Sequence, residues 1–223
     1  MDIKQAIIKR KSIRNFLPDT VSKDLLKEIL QIAGQAPSAM NTQPWKFIML
    51  AGDVIEKIKK ENVEKLRANT TPDPEFDYVD WPSGSEYRNR QVAIGKQLFK
   101  LMGITREDKI KRAQWSERGF RFFDAPAAII ITAEQSLTLA PLALDIGAVM
   151  QSICLAAMAF NLVTCIENQG ILYSGVIRKY ADIPESSLLI TSIAIGYPDT
   201  DFPANKVESE RAPIDSLTTW CGL

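Results

Sequence analysis

One run of residues restricts the possible folds more than any other. From Pro141 to Phe160 the chain is strongly apolar for about twenty residues, a length that spans a bilayer as a helix. Asp145, Gln151 and Ser152 interrupt it, and the sequence offers no second such segment. That pattern fits a helix buried on several faces, as at the centre of a dimer, better than a membrane span. With 223 residues, 46% of them hydrophobic, there is enough chain to build a core around it. Lysine plus arginine equal aspartate plus glutamate at 27 each, so no net field draws the chain to nucleic acid or an anionic membrane.

Periodicity places the remaining elements. Asp2 caps a first helix carrying Ile3, Ala6 and Ile7, which ends near Arg10. Ser22 starts a second, with Leu25, Leu26, Ile29, Ile32 and Ala33 on its inner face and Gly34 as its stop. Lys46 to Leu50 reads as a strand, and Asp53 with Glu56 as a capping box opening a helix to about Arg67. Further helices are expected over 91–102 and 105–123 and up to about Ala181. Further strands are expected over 126–133, 162–166 and 188–195. Residues 68–89 are rich in Pro, Asp, Ser and Gly with Tyr78, Trp81 and Tyr87 interspersed. The section from about 68 to 123 therefore reads as an insertion or lid, too poor in apolar residues for a core of its own. The opening Met1-Asp2-Ile3-Lys4 lacks the apolar run of a signal peptide, and three scattered cysteines do not suggest a disulfide framework. Both place the chain in the cytoplasm.

The sequence contains no histidine. Ser-His-Asp and Cys-His mechanisms, the commonest zinc ligand and the usual general acid–base group are thereby excluded, and a cofactor is the expected source of any demanding chemistry. Two polar segments suit one. Arg10-Lys11-Ser12-Ile13-Arg14 offers three cations and a hydroxyl within five residues, which suits a dianionic phosphate. Ala36-Pro37-Ser38-Ala39-Met40-Asn41-Thr42-Gln43-Pro44-Trp45 sets amide and hydroxyl groups between two prolines, a shelf for a planar heterocycle. Alone, the first is equally a helix end whose cations offset the dipole, and the second a turn ahead of a core tryptophan.

These segments occur in order with Asp145-Ile-Gly-Ala-Val-Met-Gln-Ser152, Leu162-Val-Thr-Cys-Ile166, Ile195-Gly-Tyr-Pro198 and Arg211-Ala-Pro213. In that series the chain resembles the nitroreductase family of FMN-dependent oxidoreductases over essentially its full length. The resemblance implies an α+β fold, a central and mostly antiparallel sheet flanked by helices, in a single domain spanning 1–223. It also implies an intertwined homodimer with FMN at the subunit interface and a C-terminal tail that crosses to the partner. By the same resemblance Arg10, Ser12 and Arg211 hold the FMN phosphate, with Lys11 close by, and Arg14 lies toward N1 and O2 of the ring. Pro37, Ser38 and Asn41 come from the other subunit, and Ile166, Glu167 and Asn168 face N5. The implied activity is ping-pong transfer of electrons from NADH or NADPH to nitroaromatics, quinones or similar small planar acceptors. Two alternatives share the cofactor: a reductive dehalogenase of the iodotyrosine deiodinase type, with Glu86, Tyr87 and Lys96 gripping substrate, and a flavin-binding protein without turnover. Trp81, Tyr87, Trp115, Phe120 and Phe123 are expected mostly to pack, with one or two over a substrate ring. Arg88, Arg90 and Lys96 are expected to form a solvated face, and Cys154 and Cys165 to sit inert in the core.

Overall fold

The computed structural model describes residues 2–76 and 81–222; Tyr78 lies outside the described residues. Four strands, β1 (Trp45–Ala51), β2 (Ala127–Glu134), β3 (Val163–Glu167) and β4 (Ser187–Gly196), form one sheet in the order β1-β2-β4-β3. Every neighbouring pair is antiparallel, as the α+β expectation required. The sheet is covered on both sides, and β2 shows why its sequence reads as an unbroken apolar run. Ala127, Ile129, Ile131 and Ala133 enter one core, while Ala128 and Ile130 enter the other. Between Ile131 and Thr132 the pairing with β4 slips, so that Ile131 faces Thr191 while Thr132 faces Leu189, and Ile190 is left as a bulge.

The first core lies under α2 (Lys23–Ala33) and α6 (Leu139–Ala159), the second under α3 (Gly52–Arg67) and α7 (Ser174–Tyr180). Within this protomer α6 is not buried on several faces: 39% of its most apolar stretch is buried. Leu142, Ile146, Val149 and Ile153 pack inward, whereas Leu144 is 78% exposed. The helix meets α2, the sheet and the N-terminal helix over Ile3–Lys9. The capping box at the head of α3 is absent as well. Strand β1 passes directly into the helix through Gly52 at φ +55°, so no loop residue remains to cap it, and Asp53 falls inside the first turn.

In the insertion, Ser85 caps α4 (Glu86–Leu101), which starts earlier than periodicity suggests, and Asp108 caps α5 (Lys109–Phe120), which starts later. Both caps are geometric: Arg88 N–H donates to Ser85 Oγ at 3.2 Å and Lys111 N–H to Asp108 Oδ1 at 2.9 Å. Ile94, Leu98 and Leu101 of α4 pack with Phe202, Ala204 and Val207. Helix α5 stops three residues short of expectation because Phe122, Phe123 and Asp124 all take positive φ. A left-handed turn of bulky residues is costly. It is held by Arg118 and Arg121 on the Asp124 carboxylate, at 2.9 and 2.6 Å, and by burial of both phenylalanines. The first part of the Pro- and Asp-rich stretch is strapped down across α7. Ser174 N–H and Oγ–H donate to Asp73, and Glu75 pairs with Arg178 at 2.6 Å while accepting Leu189 N–H at 3.0 Å.

Candidate functional site

Helix α1 (Ile3–Lys9), capped by Asp2 through Gln5 N–H at 2.9 Å, ends at Arg10 and releases an extended strap. The strap lies along the free edge of β3. Ile13 N–H donates to Thr164 O at 3.0 Å, Phe16 forms a bridge with Pro198, and Leu17 N–H donates to Tyr197 O at 2.9 Å. Asn205, itself buried, fixes the middle of the strap. Its Oδ1 accepts Arg14 N–H at 2.6 Å, and its Nδ2 donates to Asn15 O and Asp199 O at 2.9 and 2.8 Å. From α5, Arg118 donates to Arg14 O at 3.1 Å and to Asn15 Oδ1, with its guanidinium 4.7 Å from the Phe202 ring. Burial works against the charge on Arg118, and Asp124 beside it opposes that effect.

Arg14 is thereby delivered to a cavity of about 680 Å³ walled by Cys165, Ile166, Glu167, Asn168 and Gln169 at the end of β3. Phe99 and Arg112 of the insertion, together with Trp115 and Phe123, close its far side. Of the expected site residues, Arg14, Ile166, Glu167 and Asn168 thus share one cavity. The register Glu167↔Ser192 turns the Glu167 carboxyl inward rather than outward to a ligand. Its Oε2 accepts Gly170 N–H at 2.9 Å. Ser192 Oγ lies 2.7 Å from Glu167 Oε1 and 2.6 Å from Glu167 O. The Ser192 hydroxyl shares its one proton between these two acceptors. Burial pushes this carboxyl up to about 7, against the hydrogen bonds that Gly170, Ser192 and Gln169 donate to it. Asn168 Oδ1 accepts Thr191 Oγ–H at 2.7 Å. Burial also pushes the Cys165 thiol up to about 12 and raises that of Cys154, so both thiols are protonated core groups.

Other expected site residues lie elsewhere in the protomer. Arg10, Lys11 and Ser12 are half-buried on the strap; Ser12 meets the Cys165 thiol, and Arg10 is close enough to Cys154 to act on it. Pro37 lines a different cavity of about 430 Å³ between α1, α2 and α6. Ser38 Oγ accepts Gln43 N–H at 2.9 Å, which folds the loop on itself, and Asn41 is exposed at φ +59°. Arg211 sits in the exposed tail and donates to Ser209 O and Oγ at 2.9 and 2.7 Å. Among the alternative grips, Glu86 pairs with Arg90 at 2.6 Å and Tyr87 stacks on Trp81 at 5.3 Å. Four residues went unmarked by sequence reasoning: Phe99, Arg112, Arg118 and Asn205. Only Phe99 left a signal, as one of the residues spaced three and four apart along one side of α4.

The comparisons agree with this geometry. A model of the nitroreductase family matches residues 7–197. Nitrobenzene nitroreductase from Ectopseudomonas oleovorans is 32% identical over 95% of this chain and 93% of its own length. The FMN and NADPH-dependent nitroreductase NfnB from Sphigopyxis sp. strain HMH superposes with TM-score 0.94 at 25% identity, covering all of both chains. The FMN-dependent nitroreductase NfnB from Mycobacterium smegmatis, solved in complex with NADPH, gives TM-score 0.90 at 25% identity over 98% of this chain and 97% of its own. By the family model and by sequence identity, this chain belongs to the nitroreductase family.

Proposed function

We propose that the protein is an FMN-dependent oxidoreductase that passes electrons from NADH or NADPH to nitroaromatic or similar small planar acceptors, working as a homodimer. One observation carries the reading: the strap that bears Arg10, Lys11 and Ser12 also delivers Arg14 to the cavity at the end of β3. The residues fit FMN. Arg10, Lys11 and Arg14 are half-buried yet form no ion pair among the described residues, and a dianionic phosphate beside the Ser12 hydroxyl supplies that missing charge. Arg10, Ser12 and Arg211 hold the phosphate, with Lys11 close by; Arg14 and the backbone of Ile166, Glu167 and Asn168 meet the ring. Bound FMN supplies reversible two-electron redox chemistry. The chain's own part is orientation and electrostatics. Arg14 places a fixed cation where negative charge develops, the Trp115 and Phe123 rings exclude water, and Ser192 and Gly170 hold the Glu167 carboxyl behind the wall.

Pro37, Ser38 and Asn41 reach the ring from a second copy of the chain, and the tail carrying Arg211 crosses to it. Ile3, Ile7 and Ile8 on α1, Leu144 on α6 and Leu217 and Trp220 in the tail are exposed apolar residues that such a copy would cover. Residues from about 68 to 123 act as a lid on a single catalytic domain. Three unpaired cysteines accord with a cytoplasmic setting. The test is the visible spectrum of FMN-loaded protein under anaerobic addition of NADH and then NADPH. Rapid bleaching by either nucleotide is expected, whereas bleaching by dithionite alone would overturn the reading. Arg10→Ala and Arg211→Ala should each weaken FMN retention by about 1.5–3 kcal/mol, measured by equilibrium dialysis.

A further inference from the structure

Beside the candidate active site, and sharing Phe99 and Arg112 with it, lies a second cavity of about 830 Å³. Five cations line it, Arg88, Lys96, Lys100, Arg106 and Arg112, and no carboxylate does. Four of its lining positions, Arg88, Val92, Lys96 and Lys100, succeed one another at four-residue steps along α4, a stripe separate from the inward-packed Ile94, Leu98 and Leu101. Two cations on these helices that stand away from the cavity are paired: Arg90 with Glu86 at 2.6 Å and Lys111 with Asp108 at 3.6 Å. None of the five has an ion pair among the described residues. Gathering like charges in a concave surface works against folding, and a bound anion relieves it.

A glycine marks the same surface. Gly95 lies in the interior of α4, where glycine weakens a helix, and no neighbour demands it: an added Cβ would meet nothing within 4 Å. It lines the cationic cavity, where its lack of a side chain lets a ligand approach the backbone. Arg112 lies over the Phe99 ring at 4.7 Å, and both belong to both cavities, so one ligand can occupy the two together. Such a ligand has a planar group at one end and several negative charges further along.

We infer that this cavity binds the phosphate groups of the pyridine dinucleotide donor while its nicotinamide enters the site at Arg14, an assignment that rests on the oxidoreductase reading above. NADPH, with one more phosphate than NADH, gains more from the five cations and is the tighter ligand.

The test uses holoenzyme carrying Lys96→Ala with Arg106→Ala and, separately, Gly95→Ala. Calorimetry reads binding of NADP+ and NAD+. Steady-state kinetics compares NADPH, NADH and the phosphate-free donor 1-benzyl-1,4-dihydronicotinamide. The double variant should raise Kd for NADP+ and KM for NADPH roughly tenfold, and both constants less for NAD+ and NADH, with the phosphate-free donor changed less than about twofold. Gly95→Ala should raise the same constants without lowering the melting temperature. Dinucleotide constants that stay within about twofold of wild type would overturn the assignment, as would an equal loss with the phosphate-free donor. A raised KM for 4-nitrobenzoate but not for nitrobenzene or NADPH would also overturn it, by assigning the cavity to an acceptor carboxylate. If no dihydronicotinamide reduces the wild-type holoenzyme, the oxidoreductase reading fails instead, and NADP+ calorimetry still reports on the cavity.

Discussion

The strap from Arg10 to Phe16 and the loop from Ala36 to Pro44 are both short polar connectors that follow a helix, yet the protomer treats them differently. The strap is pinned by residues some 100 to 190 positions away in sequence: Arg118, Thr164 and Asn205. The loop holds itself, with Ser38 on Gln43 and Thr42 on Ala39 O, and reaches the rest of the protomer through Ala39 N–H on Asp145 at 3.1 Å. Met40, Asn41 and Gln43 take positive φ there, and the Met40 side chain is 95% exposed. Backbone strain that presents a bare apolar side chain is expected where another surface completes the packing. One half of the candidate site is thus finished within a protomer, and the other is shaped for something outside it.

Breaking the finished half should have the largest effect. Asn205→Ala removes three hydrogen bonds in a buried position and should cost about 3 kcal/mol of stability in urea unfolding. A cost below about 1 kcal/mol would mean that the strap holds without it. Next comes Glu167, on the same wall. Its carboxyl is raised from an ordinary 4.5 to about 7, so the folded protein holds this proton more tightly than the unfolded chain does. Its contribution is complete below about pH 4.5 and is lost as pH rises through about 7, roughly 3 kcal/mol in all. Glu167→Gln keeps a donor for Ser192 and an acceptor for Gly170, and should flatten that part of the stability–pH curve. The smallest effect on the protomer belongs to the unfinished half. Met40→Glu should leave intrinsic stability within about 0.5 kcal/mol, while shifting a dimer toward monomer in sedimentation. An unchanged assembly would remove the loop from the subunit contact.

The strands and most helices were legible because apolar β-branched runs and helical stripes reflect burial directly, and the Asp2 and Ser22 caps appear where the residues suggested. Three features were not. The Asp53 capping box failed because Gly52 turns β1 straight into α3. The left-handed turn at Phe122–Asp124 contradicts the preferences of its own residues and exists because Arg118, Arg121 and the core under α3 and α7 hold it, with the Phe122 ring packed against Gly170. Asn205 and Arg118 act on Arg14 across spans of 191 and 104 residues, and no local pattern announces such pairings. In the candidate site, residue types pointed to Arg14 and to the end of β3, whereas the inward turn of the Glu167 carboxyl depends on strand register.

The five cations that line the second cavity have a consequence at long range. Acids and bases are equal in number over the whole chain, so beyond that cavity the molecule carries as many more acids than bases as the cavity has cations. The cavity is therefore a local positive patch on a chain without net charge. An approaching anion feels little pull from afar but a torque once within about a Debye length, about 8 Å at physiological salt, which turns the cationic face toward it. Orientation during encounter, rather than attraction to the protein as a whole, is what the charge distribution provides, and added salt should erode it.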